Sequence, residues 1–168
     1  AVLCVLSSAS SMLTRAEAQT TWSGVVGFES RLFPQTSVVS ERRKASASIM
    51  TEPEYYKESR DGKNSFTFKG FARLDEADSA RSHADIRELH WQRQAPDWKL
   101  RVGFSKVFWG VTELLHLVDI VNQTDLVEEP RGEKKLGQPM VGLTVPRSWG
   151  TVDILFLPIF RERTFPGR

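Results

Sequence analysis

Cysteine is nearly absent from this sequence, and long apolar runs are absent altogether. Cys4 is the only cysteine among 168 residues, so an intramolecular disulfide framework is excluded. No run reaches the roughly 18–20 consecutive apolar residues that a transmembrane helix requires. The formal net charge of +2 is too small to indicate a nucleic-acid partner. These absences exclude a disulfide-rich secreted domain, a helical membrane protein and a strongly basic nucleic-acid-binding module.

Recognisable catalytic and metal-binding motifs are also lacking. His83, His90 and His116 are scattered, without the spacing of His, Cys and carboxylate ligands that metal sites show. No Gly-rich phosphate loop follows a predicted strand, and no Gly-x-Ser-x-Gly elbow is present. We therefore predict no catalytic residue, no metal site and no cofactor, and we expect that the chain is not an enzyme.

Residues 1–18 have the composition of an export signal. Ala1–Leu6 is apolar, and Ala16-Glu17-Ala18 has the small-residue pattern after which signal peptidase cleaves. We predict that residues 1–18 are a truncated signal peptide and that Gln19 begins the mature chain; the alternative is a short buried helix. The mature chain would then contain no cysteine and no thiol chemistry.

Alternation of apolar and polar side chains dominates the rest of the chain. A period of two residues is typical of β-strands whose two faces meet different surroundings. In Ser65–Asp75, for example, Phe66 and Phe68 point one way while Lys69 and Arg73 point the other. The pattern predicts seven strands, at Thr20–Phe33, Ala45–Tyr55, Ser65–Asp75, Ala84–Gln94, Trp98–Phe108, Pro139–Pro146 and Thr151–Phe160.

One of these strands has an orientation that the pattern leaves open. In Ala84–Gln94, strict alternation puts Arg87, Leu89 and Trp91 on one face and Ile86 on the other. A Lys or Arg at the middle of a bilayer costs about 2–4 kcal/mol, and this cost falls near the interfaces. Leu89 and Trp91 can therefore face lipid only if Arg87 and Arg93, which share their face in this pattern, lie near the membrane edges or snorkel.

The predicted connections are short at one end of the strands and long at the other. Ala95–Asp97 and Arg147–Gly150 are tight turns, and Lys57–Asn64 contains an Asp-Gly turn signal. Trp109–Gln138, in contrast, is a long loop, and loops of this length are usually functional or disordered. Short connections on one side and long ones on the other are typical of outer-membrane barrels.

These features together predict an all-β fold, namely a partial antiparallel up-and-down transmembrane β-barrel. Strands of about ten residues are long enough to cross a bilayer when they are tilted. Single-chain bacterial barrels have even strand numbers, so seven strands indicate that residues 19–168 are the N-terminal part of a larger barrel. The same alternation also fits a soluble periplasmic β-sandwich or lipocalin-like binding protein, in which the apolar faces would form a core.

Charged side chains on the polar faces predict the lining of a pore. Basic residues on two strands would form one wall, and the loop Trp109–Gln138 would fold inward as a constriction with its acids facing that wall. Opposed rows of fixed charge are how pores select ions. The predicted pore-lining residues are Lys69, Arg73, Lys99, Arg101, Glu113, Asp119 and Asp125. The alternatives are the solvated face of a soluble sheet and a surface flap without a transport role.

Two stretches resemble members of a known family. Val107–Leu126 (VFWGVTELLHLVDIVNQTDL) and Thr151–Gly167 (TVDILFLPIFRERTFPG) are similar to segments of proteobacterial outer-membrane barrel proteins of porin type. The resemblance implies a place in the bacterial outer membrane, with membrane lipid and small diffusing solutes as partners and without nucleic acid or cofactor. It leaves homo-oligomerisation open. The sequence stops at Arg168 without the final strand and terminal aromatic residue of a complete member.

Overall fold

The computed structural model describes residues 4–6, 19–32, 45–107, 121–128 and 134–162, with the backbone alone for residues 4–6. These residues form one antiparallel sheet in which each strand pairs with its neighbours in the sequence. The strands are β1 Cys4–Leu6, β2 Thr20–Leu32, β3 Ala45–Glu58, β4 Asn64–Asp75, β5 His83–Gln94, β6 Lys99–Ser105, β7 Gln138–Arg147 and β8 Gly150–Phe156. No helix in this part of the chain is long and apolar enough to span a membrane.

The predicted all-β, antiparallel up-and-down arrangement is confirmed. Strands β2 to β8 correspond one by one to the seven predicted strands. Strand β1 is an additional strand that pairs with residues 26–28 of β2, and it lies within the segment predicted as a signal peptide. The remainder of that segment lies outside the described residues. The sheet is open, with β1 at one edge and β8 at the other.

Strand β6 is shorter than the predicted Trp98–Phe108. Its last residue, Ser105, is also the last residue that pairs with β7. Two residues later the N–H of Val107 donates to Oδ1 of Asn122 at 2.7 Å, in place of a strand partner. The chain therefore leaves the sheet where a loop side chain takes over its hydrogen bonding.

Two further strand ends differ from the prediction. Strand β8 ends at Phe156 rather than Phe160, and Pro158, which has no N–H to donate to a ladder, follows closely. Strand β3 continues to Glu58, three residues beyond the predicted end at Tyr55. The turn after β3 is therefore shorter than Lys57–Asn64.

Between β2 and β8, the connections have the predicted asymmetry. At one end, Ser148 and Trp149 join β7 to β8, residues 95–98 join β5 to β6, and residues 59–63 join β3 to β4. In the last of these turns Asp61 accepts hydrogen bonds from the Ser59 hydroxyl and the Lys63 N–H, and these bonds lower the pKa of its carboxyl. At the other end, the connections are residues 33–44, 76–82 and 106–137.

A β-bulge interrupts β5. The register between β4 and β5 shifts at Lys69 and Gly70: Lys69 pairs with Glu88, whereas Gly70 pairs with Ile86. Arg87 is thus the extra residue of the bulged strand, and such a residue reverses the alternation of side chains beyond it.

The bulge corrects the predicted orientation of β5. Strict alternation put Arg87 on the face of Leu89 and Trp91, with Ile86 opposite, and this prediction is wrong. Ile86 lies on the same face as Leu89, while Arg87 turns to the other face and is only 8% exposed. Arg87 therefore does not interrupt the apolar face. Arg93, which pairs with Leu100, remains on that face, one residue before the end of β5.

One face of the sheet is almost entirely apolar, and its side chains are exposed or half-buried. Cross-strand pairing places the following residues on this apolar face: Trp22, Val26, Phe28, Leu32, Ile49, Tyr55, Phe66, Phe68, Leu74, Ile86, Leu89, Trp91, Leu100, Val102, Phe104, Val141, Leu143, Val145, Val152, Ile154 and Phe156. Trp22 is 66% exposed, Leu74 69% and Phe156 64%. The apolar face thus extends across all strands from β2 to β8.

The opposite face is charged, and it carries most of the buried side chains. In the described part of the chain, the buried apolar residues are Phe71, Val127, Leu136 and Met140. The buried polar and charged residues are Ser48, Arg73, Arg81, Arg87, His90, Ser105, Asn122, Thr124, Asp125, Lys135 and Gln138. Water-soluble domains bury apolar side chains and expose charged ones, so this sheet has the reverse arrangement.

Candidate functional site on the charged face

The candidate site is the charged face of the sheet together with the loop segments that cover it. The wall consists of the polar side chains of β2 to β8, and the cover consists of residues 121–128 and 134–137 between β6 and β7. Buried ion pairs join the two parts, and they involve arginines on β4 and β5.

Arg73 on β4 connects three segments of the chain. Its Nε donates to both carboxylate oxygens of Glu128 in the loop, at 3.0 and 2.9 Å, and a second guanidinium nitrogen lies 2.7 Å from the same carboxylate. Its remaining nitrogen donates to Glu29 on β2 at 3.0 Å and to the Ser48 hydroxyl on β3 at 2.8 Å. The Glu128 side chain is 0% exposed. This bidentate contact fixes both the position and the orientation of the Glu128 carboxylate relative to Arg73.

Arg81 extends this network from the connection between β4 and β5. It is the last residue of a short 3₁₀ helix, Ser79–Arg81. It donates to Asp75 at 2.8 Å and to Glu29 at 3.2 Å. Glu29 therefore accepts from both Arg73 and Arg81, and a carboxylate has enough lone pairs to do so.

Arg87, the bulged residue of β5, makes the second contact between wall and loop. One guanidinium nitrogen lies 2.5 Å from Oδ2 of Asp125, and another lies 3.5 Å from Oδ2 of Asp85. The guanidinium also stacks over the ring of Phe71, 4.5 Å from its centroid. Arg161, beyond β8, donates to Asp85 as well as to the carbonyl of Gly137 at 3.0 Å. Buried charges are tolerated because oppositely charged groups surround them.

Neutral hydrogen bonds complete the attachment of the loop. The buried Asn122 accepts from the N–H of Val107 and donates to the carbonyls of Ser105 at 3.0 Å and Leu136 at 2.9 Å. A short antiparallel bridge between Thr124 and Lys135 pairs the two described loop segments with each other. The loop therefore lies against the charged face through its own backbone as well as through ion pairs.

The structure describes five of the seven predicted pore-lining residues. Lys69, Arg73, Lys99 and Arg101 share the charged face, as predicted. Asp125 and Arg73 do not face open space; each is buried and in contact across the boundary between wall and loop. Glu113 and Asp119 lie outside the described residues.

Lys69 on β4 and the two cations on β6 have different surroundings. Lys69 pairs with Glu54 on the neighbouring strand at 2.8 Å. Arg101 donates to the neutral side chains of Gln92, at 3.0 Å, and Ser105, at 3.1 Å. Lys99 and Arg101 line a cleft of about 380 Å³ above β6, β7 and β8.

Sequence reasoning did not select Arg81, Arg87 or Glu29 for this site. Arg87 was missed because the bulge that turns it to the charged face arises from strand pairing and leaves no trace in the alternation. Glu29 was missed because nothing in the local sequence indicates that two arginines more than forty residues away bind it.

The described residues contain no group of three or more His, Cys, Asp and Glu side chains that could hold a metal ion. His90 is buried on the charged face, with the nearest carboxylate, Glu88, at 4.0 Å. The acids of the network are occupied by arginines rather than gathered around a vacant centre. The arrangement as described is therefore a scaffold of ion pairs that holds a loop over a charged wall.

No protein-family model, no curated protein and no solved structure matches the chain.

Proposed function

We propose that this chain forms part of the wall of an outer-membrane β-barrel through which small solutes diffuse, with residues 109–138 narrowing the pore. The observation that carries the proposal is the reversed polarity of the sheet, with an exposed apolar face and a buried charged face. In a barrel of this kind the strands alternate between lipid on the outside and a polar lumen on the inside.

The size of the apolar face supports a place in a bilayer. On β2 it runs from Trp22 to Leu32, ten residue steps along one strand. At about 3.3 Å per residue and a tilt of about 40°, this corresponds to roughly 25 Å across the membrane. The hydrophobic band of outer-membrane barrels has about this height.

Aromatic side chains at one border of the apolar face support the same orientation. The rings of Trp22 and Tyr55 are 4.5 Å apart, those of Tyr55 and Phe66 are 6.1 Å apart, and Trp91 lies opposite Phe66 in the register. All four lie towards the end of the sheet that has short turns. Aromatic girdles are typical of the boundary between lipid and water, and short turns are typical of the periplasmic side.

The loop supports a narrowed lumen. Asp125 and Glu128 are in contact with Arg87 and Arg73 on the charged face. If that face lines the lumen, the loop lies inside the barrel rather than over its rim. The edges β1 and β8 are unpaired in the described sheet. Unpaired backbone groups in lipid cost several kcal/mol each, so a barrel requires that both edges be paired.

Electrophoresis and conductance test the proposal on the full-length protein. We expect a band that changes its migration on heating and discrete conductance steps in planar lipid bilayers. Full-length protein that stays monomeric in buffer without detergent, and gives no conductance, would contradict the proposal.

Tryptophan fluorescence separates the barrel from a soluble periplasmic β-sandwich or lipocalin-like binding protein. Variants that retain only Trp22 or only Trp91 should be quenched by lipids that carry bromine on their acyl chains. A variant that retains only Trp149, in the turn between β7 and β8, is the matched control and should be quenched less. Equal, weak quenching in all three would favour the soluble alternative.

A further inference from the structure

The cations of the charged face differ in whether a carboxylate neutralises them. Lys69, Arg73 and Arg87 each lie within 3.0 Å of an acidic side chain. Lys99, Arg101 and Lys106, by contrast, form no ion pair with any of the residues that the structure describes. Carboxylates thus lie in direct contact with the cations of β4 and β5, whereas among the described residues none forms an ion pair with the three cations at β6 and just after it.

These three cations line one cleft. Lys99 and Arg101 are two residues apart on β6, and Lys106 follows the end of that strand. The cleft has a volume of about 380 Å³, and its floor includes Gly142 and Thr144. Gly142 presents no side chain and pairs directly with Arg101, so the space in front of the guanidinium is not filled by its neighbour on β7.

Arg101 is held in place by neutral hydrogen-bond acceptors rather than by a carboxylate. Its Nε and one terminal nitrogen donate to Oε1 of Gln92 at 3.3 and 3.0 Å, and the other terminal nitrogen donates to the Ser105 hydroxyl at 3.1 Å. A guanidinium has five N–H groups, so two remain available for a ligand. Neutral acceptors therefore orient Arg101 while its positive charge stays available.

Among the described residues, Asp153 is the one carboxylate in the lining of this cleft. It accepts a hydrogen bond from the hydroxyl of Thr144 at 2.5 Å, its partner in the register of β7 and β8. With three cations and one acid, the lining has a net charge of +2 when the lysines are protonated. A cleft with this charge attracts small anions and repels small cations.

The geometry points to a binding station for small anions, of carboxylate or phosphate type, in the cleft formed by Lys99, Arg101 and Lys106. This inference rests on the proposed function, since it names the class of solute that the pore would favour. An oxyanion in the cleft would accept from the two available N–H groups of Arg101, and the two ammonium groups would add attraction without a fixed geometry. The neutralised region around Arg73 would hold the loop and contribute little to selectivity.

Reversal potentials in a KCl gradient test this inference on the full-length protein in planar bilayers. We expect the wild type to prefer chloride over potassium. The triple variant Lys99→Gln, Arg101→Gln, Lys106→Gln should lower this preference by about threefold or more. Lys63→Gln, which removes one exposed charge from a turn outside the cleft, should leave it unchanged. The single variant Lys99→Gln, whose ammonium has no hydrogen-bond partner in the described structure, serves if the triple variant fails to fold.

Inorganic phosphate and acetate, tested separately, identify the oxyanion. Either one should reduce the chloride current of the wild type in a saturable way, and the triple variant should lose that saturation. Channels whose selectivity is the same in the wild type and in the Lys99→Gln variant would overturn the anion station and leave the pore proposal standing. Absence of any conductance would overturn the pore proposal instead.

Discussion

Arg73 holds both carboxylate oxygens of Glu128, a residue 55 positions further along the chain. Both side chains are withdrawn from solvent, with 7% and 0% of their side-chain surfaces exposed. The contact joins the middle strands of the sheet to the loop that covers them. Together with the Arg87–Asp125 ion pair and the hydrogen bonds of Asn122, it holds the loop on the charged face.

Arg73→Lys should destabilise the folded form although it conserves the charge. A lysine ammonium cannot reach Glu128, Glu29 and Ser48 with the planar geometry of a guanidinium, so buried acceptors lose their donors. We expect the free energy of unfolding to fall by about 1–3 kcal/mol. The urea concentration at which half of the protein has lost its heat-modifiable band measures this change. Arg31→Lys, at a site where the side chain is 42% exposed, is the matched control and should change stability by less than about 0.5 kcal/mol. Equal effects at both sites would show that the Arg73 geometry is unimportant.

Glu128→Gln should loosen the loop more than it disturbs the wall. Arg73 keeps its contact with Glu29, whereas the loop loses its charged anchor. We expect larger and noisier single-channel conductance, together with a loss of about 1.5–3 kcal/mol in stability. Lys134→Gln removes another contact between loop and wall, with Glu52 at 3.4 Å, but that pair is largely exposed. This control should have little effect, because exposed ion pairs contribute at most about 1 kcal/mol.

Asn122→Asp should destabilise the attachment of the loop although the side-chain shape is nearly unchanged. The substitution removes the amide that donates to the carbonyls of Ser105 and Leu136, and it places a negative charge beside both oxygens. We expect a loss of about 2–4 kcal/mol, because two buried acceptors lose their donor. Gln123→Glu, one residue further and only half-buried, makes the same chemical change and should cost far less. Limited proteolysis of the loop in folded protein is the measurement, and equal cleavage of both variants would contradict the role of Asn122.

Gly103→Ala should prevent or strongly impair folding. Gly103 has a φ of +127°, and a Cβ there would lie 2.2 Å from the carbonyl oxygen of Leu89. Backbone strain and overlap together should cost about 3 kcal/mol or more. Gly62→Ala is the control: Gly62 also has a positive φ, of +66°, but a Cβ would meet nothing closer than 3.5 Å. This control should cost about 1–2 kcal/mol. The fraction of heat-modifiable protein after refolding measures both.

Val102→Arg tests whether the apolar face contacts lipid. Val102 lies in the middle of β6, on the apolar face, and is 39% exposed. In a bilayer the arginine should cost about 2–4 kcal/mol, whereas in water it should cost almost nothing. Val145→Arg, on the same face but three residues before the turn at Ser148, should cost about 0–1 kcal/mol. Urea titration of both variants in lipid vesicles measures the difference, and two neutral substitutions would count against lipid contact.

The strands were predictable because their two faces meet different surroundings. Val26 and Phe28 alternate with Glu29 and Arg31, and Phe66 and Phe68 alternate with Lys69 and Arg73, so a period of two residues is visible in the sequence itself. Lys99 and Arg101 are two residues apart on β6, so the same period places their side chains on one face of the sheet.

The contacts that hold the loop were not predictable in the same way. Glu128 lies in the loop that was predicted to fold inward, but its partner Arg73 is 55 residues away, and no local pattern indicates that pairing. Arg87 was assigned to the wrong face because the bulge depends on how β4 pairs with β5. Local pattern therefore determines the strands, and long-range pairing determines the site.

The order of the strands has a consequence for how the chain reaches its final form. Every strand from β1 to β8 lies next to its neighbour in sequence, and no crossover interrupts the series. Each pairing closes only the loop between consecutive strands, so the entropy lost at each step is that of one local closure. The sheet can accordingly assemble by stepwise zippering of hairpins, with the largest closure, over residues 106–137, left as the slowest step between β6 and β7.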